Sequence, residues 1–196
     1  MLVIFVLFQF GPALRSFVEN LSEFSVSTTG MSAKRTAIVA ANLSAANERS
    51  ADSRAGTNTI ANVASDVTAS LLRKAATTSI LWVDDNPSNN FYERSALEAL
   101  GISFVTSLNT EEAVRQLQNR SFDVVITDMS RPPDNSAGYT LLDELKRMKK
   151  SIPTIIYAAS SNPQFIAEAI RRGAFGETNR PDELFKLVVD AVKSKQ

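Results

Sequence analysis

The chain has 196 residues, 44% of them hydrophobic and 21% charged, which is enough for one well-buried domain and an appendage. Acidic and basic residues balance at 21 each, so no global field recruits nucleic acid, and none is expected as a partner. Cysteine and histidine are both absent, which excludes disulfides, thiolate chemistry, Ser-His triads, His-ligated zinc and a phosphohistidine formed on this chain.

Met1 to Leu14 (MLVIFVLFQFGPAL) carries no charge, and Arg15 follows it. As a helix it would reach roughly 21 Å at about 1.5 Å per residue, short of the roughly 30 Å hydrocarbon core. It has neither a basic n-region nor a clear small-x-small cleavage site, which argues against a signal peptide. The preferred reading is a membrane anchor, either shortened because the true reading frame starts upstream or lying partly in the interface. A buried core element is the alternative. Arg15, Lys34 and Arg35 follow the segment with no basic residue ahead of it, so the rest of the chain is expected on the cytoplasmic side.

Residues 15–78 turn to Ala, Ser, Thr and Asn and read as a juxtamembrane linker with little to make a core. Ser32 to Arg49 has only Ile38, Val39 and Leu43 as large apolar residues and predicts a weak helix with a thin apolar stripe. SADSRAGTN (50–58) reads as a linker. Ile60, Val63, Val67 and Leu71 recur at helical spacing and predict a second amphipathic helix up to about Lys74.

From Ser79 the pattern changes to alternating strands and helices. SILWV (79–83) is a short apolar strand ending in Asp84 and Asp85, followed by a helix from Asn89 to Leu100 that Gly101 stops. ISFVT (102–106) is a second strand. Asn109 with Glu112 resembles a capping box opening a helix through about Asn119. Val124, Val125 and Ile126 form a β-branched run suited to a strand buried on both faces, breaking off at Thr127 and Asp128. Leu141, Leu142, Leu145 and Met148 mark a helix over 136–149, and TIIYA (154–158) is a fourth strand. A helix over 163–172, a weak polar strand over 176–179 and a helix opened by Pro181 complete the chain. This alternation predicts an α/β fold with a five-stranded parallel, doubly wound, flavodoxin-like sheet over residues 79–196.

Asp84, Asp85 and Asp128 all fall at or just past C-terminal strand ends, the edge of an open α/β sheet where ligands bind. Taken singly, each has a turn or capping aspartate as its alternative reading. Together at the switch point they would repel one another unless a hard cation sat among them. Magnesium suits such a site, because it takes oxygen ligands and keeps several waters. Asp128 could then act as a nucleophile toward phosphorus.

The VDD run at 83–85, the strand-ending Asp128, Ala158 and the Arg180-Pro181 pair, in this order and spacing, resemble the receiver domain of two-component response regulators over about three fifths of the chain. The resemblance implies that Asp128 accepts a phosphoryl group and that Asp84 and Asp85 belong to a Mg2+ site, with Asp128 and the backbone carbonyl of Ser130 as further ligands. It implies that Arg180, at the family's lysine position, contacts the phosphate or the acid cluster. It also implies a histidine kinase or phosphotransfer protein as partner in trans. Two family features are missing, since Ala158 replaces a Ser or Thr and Glu177 replaces an aromatic. The absent hydroxyl cannot donate to a phosphoryl oxygen, and weakened coupling is the expectation. Ser160 and Ser161 would substitute only if the loop were redrawn. Because no output domain is seen after the receiver-like region, output is expected through protein binding rather than enzymatic turnover. The alternative is a pseudo-receiver that is never phosphorylated and serves as a membrane-tethered adaptor. A phosphohydrolase using Asp128 as nucleophile lacks a clear general acid.

Overall fold

The computed structural model describes residues 28–49 and 67–194. The apolar segment at 1–14, the linker at 50–58, Ile60 and Val63 lie outside the described residues. Among those described, no helix is long and apolar enough to cross a membrane.

The described chain opens with helix α1 (Thr28–Arg49) and the short α2 (Ala69–Ala75), which Thr68 caps through its side chain. Then follow β1 (Ser79–Val83), a 3-10 turn (Pro87–Asn90), α3 (Phe91–Glu98), β2 (Ser103–Ser107), α4 (Thr110–Asn119) and β3 (Val124–Thr127). The remaining elements are α5 (Ala137–Arg147), β4 (Thr154–Tyr157), α6 (Pro163–Arg171), β5 (Gly176–Thr178) and α7 (Pro181–Ser194). The five strands pair in the order β2-β1-β3-β4-β5, all parallel, as the doubly wound expectation requires.

Local chemistry sets the helix ends where the sequence placed them. The Asn109 side chain accepts from the Glu112 N–H at 2.9 Å, and Glu112 reaches back to the Leu108 N–H at 2.8 Å, one residue beyond the usual capping-box partner. Asn162 caps α6 through the N–H groups of Gln164 and Phe165, with Pro163 at its first position. Gly101, at φ +102°, takes the left-handed turn that ends the run of α3.

All four residues of β3 are buried, because the strand is paired on both sides and covered on both faces. Ile80, Trp82, Val124, Ile126 and Ile155 face one layer, against α3 and α7. Leu81, Val83 and Val125 face the other, against α4 and α5. The polar strand β5 is held partly by Gly176, where a Cβ would come within 2.7 Å of Leu187.

The region read as linker contributes to this core. Val39 and Leu43 of α1 are 0% and 1% exposed, and Leu71 of α2 is 2% exposed, all in the α3/α7 layer. Of the thin stripe read on α1, Ile38 alone faces solvent, at 40% exposed. Two fully buried aliphatic side chains contribute about 1.5–3 kcal/mol each, so sparse apolar spacing is enough to dock α1. Arg35 adds a hydrogen bond from its guanidinium to the Leu100 carbonyl at 3.2 Å.

Candidate functional site

The register of the two central strands assembles the acidic site. Val83 of β1 pairs with Thr127 of β3, so the next residues, Asp84 and Asp128, emerge side by side at the C-terminal edge. The Asp128 N–H donates to the Val83 carbonyl and the Asp84 N–H to the Ser107 carbonyl, each at 2.9 Å. The two aspartates share a cleft of about 280 Å3 with Asp85, Asn89, Asn90, Glu93, Tyr157, Ala158 and Asn179.

Asp84 is buried and held from both sides. Oδ1 accepts the Asn86 N–H at 2.7 Å and Oδ2 the Asn90 side-chain amide at 2.6 Å. Asp85 lines the cleft but is exposed. Asp128 is half-buried, and Oδ1 accepts the Met129 N–H at 2.7 Å. Burial, and then the charge of Asp84, raise the Asp128 carboxyl above the ordinary aspartate range, against the N–H groups of Met129 and Ser130 and the charge of Arg131. Gly138 lets the start of α5 close over this strand end, since a Cβ there would stand 3.2 Å from the Asp128 carbonyl oxygen and the Met129 Cα.

Asp84, Asp85 and Asp128 thus reach one cleft as expected. Among the described residues, however, no group of three or more acidic side chains is arranged to hold a metal ion by itself. Asp84 is fixed by Asn86 and Asn90 while Asp85 sits exposed at the rim. Ser130 is exposed and outside the cleft lining, and its hydroxyl donates to Asn135 Oδ1 at 3.4 Å.

Arg180 departs from the expected contact. Its guanidinium pairs with Asp182 (Nη2 to Oδ2, 2.8 Å) and with Glu183 (3.3 Å), both in the first turn of α7, and it does not line the cleft. Two carboxylates within three residues satisfy the planar fork locally. Ala158 lines the cleft where a hydroxyl was looked for, while Ser160 and Ser161 do not. Glu177 is 5% exposed, and its Oε2 has no partner, so burial pushes its carboxyl up. The ring on that side of the sheet comes instead from Tyr139 of α5, with the Arg172 guanidinium 4.4 Å from its centroid.

Three residues of the site were not singled out from the sequence. Arg131, in the loop between β3 and α5, is only 3% exposed. Its Nη1 donates to Thr127 Oγ1 (2.5 Å) and the Asp128 carbonyl (2.6 Å), and its Nη2 to Thr110 Oγ1 and the Ala137 carbonyl (both 3.0 Å). It pins the β3-α5 loop beneath Asp128, and a lone cation between a strand end and a Pro-Pro pair was the available signal. Glu93 is buried in the cleft, takes the Tyr157 hydroxyl at 3.0 Å on Oε1 and leaves Oε2 without a partner; burial raises its carboxyl. Arg49, at the end of α1, lines the cleft beside them.

The family model described as "Response regulator receiver domain" matches residues 80–188. The chain belongs to this family. Among curated proteins, the DNA-binding transcriptional regulator NtrC of Escherichia coli (strain K12) is 31% identical over 121 residues, covering 60% of this chain and 25% of that protein. The nitrogen assimilation regulatory protein NtrX of Azorhizobium caulinodans is 28% identical over 110 residues, covering 56% and 24%. The chain therefore spans about a quarter of the length of these relatives. Among solved structures, the receiver domain of the Francisella response regulator 1452 superposes with a TM-score of 0.55 at 22% identity, over 61% of this chain and all of that one. The Thermotoga maritima response regulator TrrA, solved in complex with Mg(2+)-BeF, has a TM-score of 0.51 at 25% identity, over 59% of this chain and 99% of that one. Receiver-type phosphorelay signalling is the function that the family carries.

Proposed function

We propose that Asp128 is the phosphoryl acceptor of this receiver domain and that the chain signals by binding other proteins. The observation that carries the proposal is the pairing of Asp84 with Asp128 at one open strand edge, with the Asp128 carboxyl raised by burial and by the charge of its neighbour. Two carboxylates in that relation favour a divalent cation with oxygen preference. Mg2+ would be held by Asp84, Asp85 and Asp128 with the Ser130 carbonyl, and when bound it supplies charge neutralisation at the transferred group. The solved complex of TrrA with Mg(2+)-BeF supports this assignment by likeness.

In the proposed reaction, a carboxylate oxygen of Asp128 attacks phosphorus of a donor supplied in trans by a histidine kinase or phosphotransfer protein. The donor's bond to phosphorus breaks, and its electron pair leaves with the donor. The Met129 N–H orients the nucleophilic carboxylate through Oδ1, while Arg131 fixes the Asp128 backbone from below. The test is mass spectrometry of the purified chain after incubation with acetyl phosphate and Mg2+. One added phosphate is expected, and it should be lost in Asp128→Asn.

The second reading, a pseudo-receiver acting as an adaptor, is favoured by Ala158 standing in the cleft where a hydroxyl would grip a phosphoryl oxygen. A folded chain that gains no phosphate from any small donor would establish it over the first. The membrane tether read in residues 1–14 is part of either proposal. It predicts that the full chain pellets with membranes and that deleting 1–14 releases it.

A further inference from the structure

A phosphoryl group arriving at Asp128 brings roughly two negative charges into a cleft already lined by Asp84, Asp85, Asp128 and Glu93. A bound divalent cation offsets only part of that, so the transfer needs another positive group facing the phosphoryl oxygens. Two arginines close to the site in sequence are committed elsewhere. Arg131 is buried under the strand end with both terminal nitrogens engaged, and Arg180 is paired with Asp182 and Glu183. Among the described residues that line the cleft, the only cation is Arg49.

Its position is determined by packing. Burial of Val39 and Leu43 seats α1 on the α3/α7 layer, which brings its last turn, with Ala46 and Arg49, to the wall of the acidic cleft. The Arg49 guanidinium lies 5.5 Å from the centroid of the Tyr92 ring, next in sequence to Glu93. Its charge acts on Glu93, whose Oε2 is buried in the cleft without a partner. A long, exposed arginine side chain stacked on one aromatic ring can leave that ring at little cost, which the locked Arg131 cannot do.

We propose that Arg49, carried by α1 from outside the receiver-family region, supplies to the acceptor cleft the cation that Arg180 withholds, so that α1 completes the phosphoryl-binding site. The inference rests on the acceptor reading of Asp128. Arg49 exchanges no proton and forms no bond. It donates hydrogen bonds and charge to phosphoryl oxygens while the donor's bond to phosphorus breaks and the Asp128–phosphorus bond forms.

Two measurements on the full chain test it. In the first, acetyl phosphate is the donor, and Arg49→Ala is expected to slow phosphorylation about tenfold, less than the roughly hundredfold or more lost with a preorganised, water-excluded donor, because Arg49 is exposed. Arg49→Lys should recover part of the rate and Arg49→Glu should lose more. In the second, Mn2+ is titrated without any phosphodonor and the free ion is counted by electron paramagnetic resonance. Removing a like charge beside the cation site should tighten Mn2+ binding about two- to fivefold in Arg49→Ala. Arg49→Glu should tighten it further, and Arg115→Ala on the far helix α4 should leave it unchanged. If wild type is phosphorylated and Arg49→Ala and Arg49→Glu match it in rate and in Mn2+ affinity, the Arg49 proposal is overturned while the acceptor reading stands. If wild type takes no phosphate but Mn2+ affinity still rises in the variants, the acceptor reading fails and the placement of Arg49 at the cleft stands. Wild type that neither takes phosphate nor binds Mn2+ overturns both.

Discussion

Asp128→Asn should stabilise the metal-free protein at neutral pH, although it removes the proposed phosphoryl acceptor. The substitution keeps the shape of the side chain and an oxygen to accept the Met129 N–H, which lies 2.7 Å from Oδ1. What it removes is a charge that the fold disfavours, first through burial and then through repulsion by Asp84. Two like charges a few Å apart repel by about 1 kcal/mol in water and about 4 kcal/mol at an effective dielectric of 20. The cleft is open, so the lower figure applies, and partial desolvation adds a cost that the Met129 and Ser130 N–H groups and Arg131 largely offset. The net gain is about 1 kcal/mol, or roughly 3–5 °C in Tm for a domain of this size. The folded state holds the Asp128 proton to higher pH than the unfolded chain, so the unfolded state binds fewer protons just above the ordinary aspartate range. Stability of the wild type therefore falls as pH rises through that window. Glu93 and Glu177 contribute slopes of the same sign, but they are common to both proteins, so the difference isolates Asp128. Thermal unfolding in chelator at pH 7.5 should show the variant ahead, with the gap closing at pH 4 and narrowing when Mg2+ is added to the wild type. An Asp128→Asn protein that is equal or less stable at pH 7.5 in chelator would refute the claim that Asp84 and burial strain this carboxylate.

Glu177→Gln removes a buried, incompletely partnered charge and should raise stability by about 1 kcal/mol at pH 7.5, with the gain vanishing at pH 4 because the raised carboxyl is protonated there in wild type; urea denaturation at the two pH values measures it. Arg131→Ala removes one donor from each of the Asp128 and Ala137 carbonyls, leaving the Thr127 hydroxyl on the former, and opens a cavity, so a loss of about 3–5 kcal/mol is expected, together with faster amide exchange over 129–139. Leu43→Ala should cost about 2–4 kcal/mol in the same urea assay, since this side chain is 1% exposed within the α3/α7 layer. If α1 were only a tether, that substitution would be silent.

Much of the sheet was legible because its information is local. SILWV, VVIT and TIIY are short, largely buried and apolar runs; the first two are followed by Asp84 and Asp128 where the strand leaves the sheet, the third by Ala158. Asp84 and Asp128 could be placed together because parallel register follows from those same runs. β5 was the weakest element to read, and its sequence, GET, shows why. It is a strand by virtue of neighbours, with Gly176 against Leu187 and Thr178 donating to Glu183 Oε2 at 2.7 Å.

The residues that escaped the sequence reading escaped it for the opposite reason. Arg131 is buried by partners that lie 48 residues away at Val83 and 21 away at Thr110, so nothing in its own loop marks it as interior. Arg49 sits at the acceptor cleft only because α1 docks, and α1 docks on two large side chains in an otherwise Ala- and Ser-rich helix. Arg180 is the converse case. Its family position pointed at the phosphate, yet Asp182 and Glu183 stand two and three residues on, within reach of the same guanidinium. Local carboxylates at a helix N-terminus hold a planar cation without any long-range packing, whereas a cleft across the sheet edge has to compete for it. With Arg180 satisfied in its own turn, the proposed role of Arg49 makes the charge balance of the cleft depend on a helix outside the family region. On that proposal the boundary of the functional unit lies at α1 rather than at the first strand of the family region, residues 80–188.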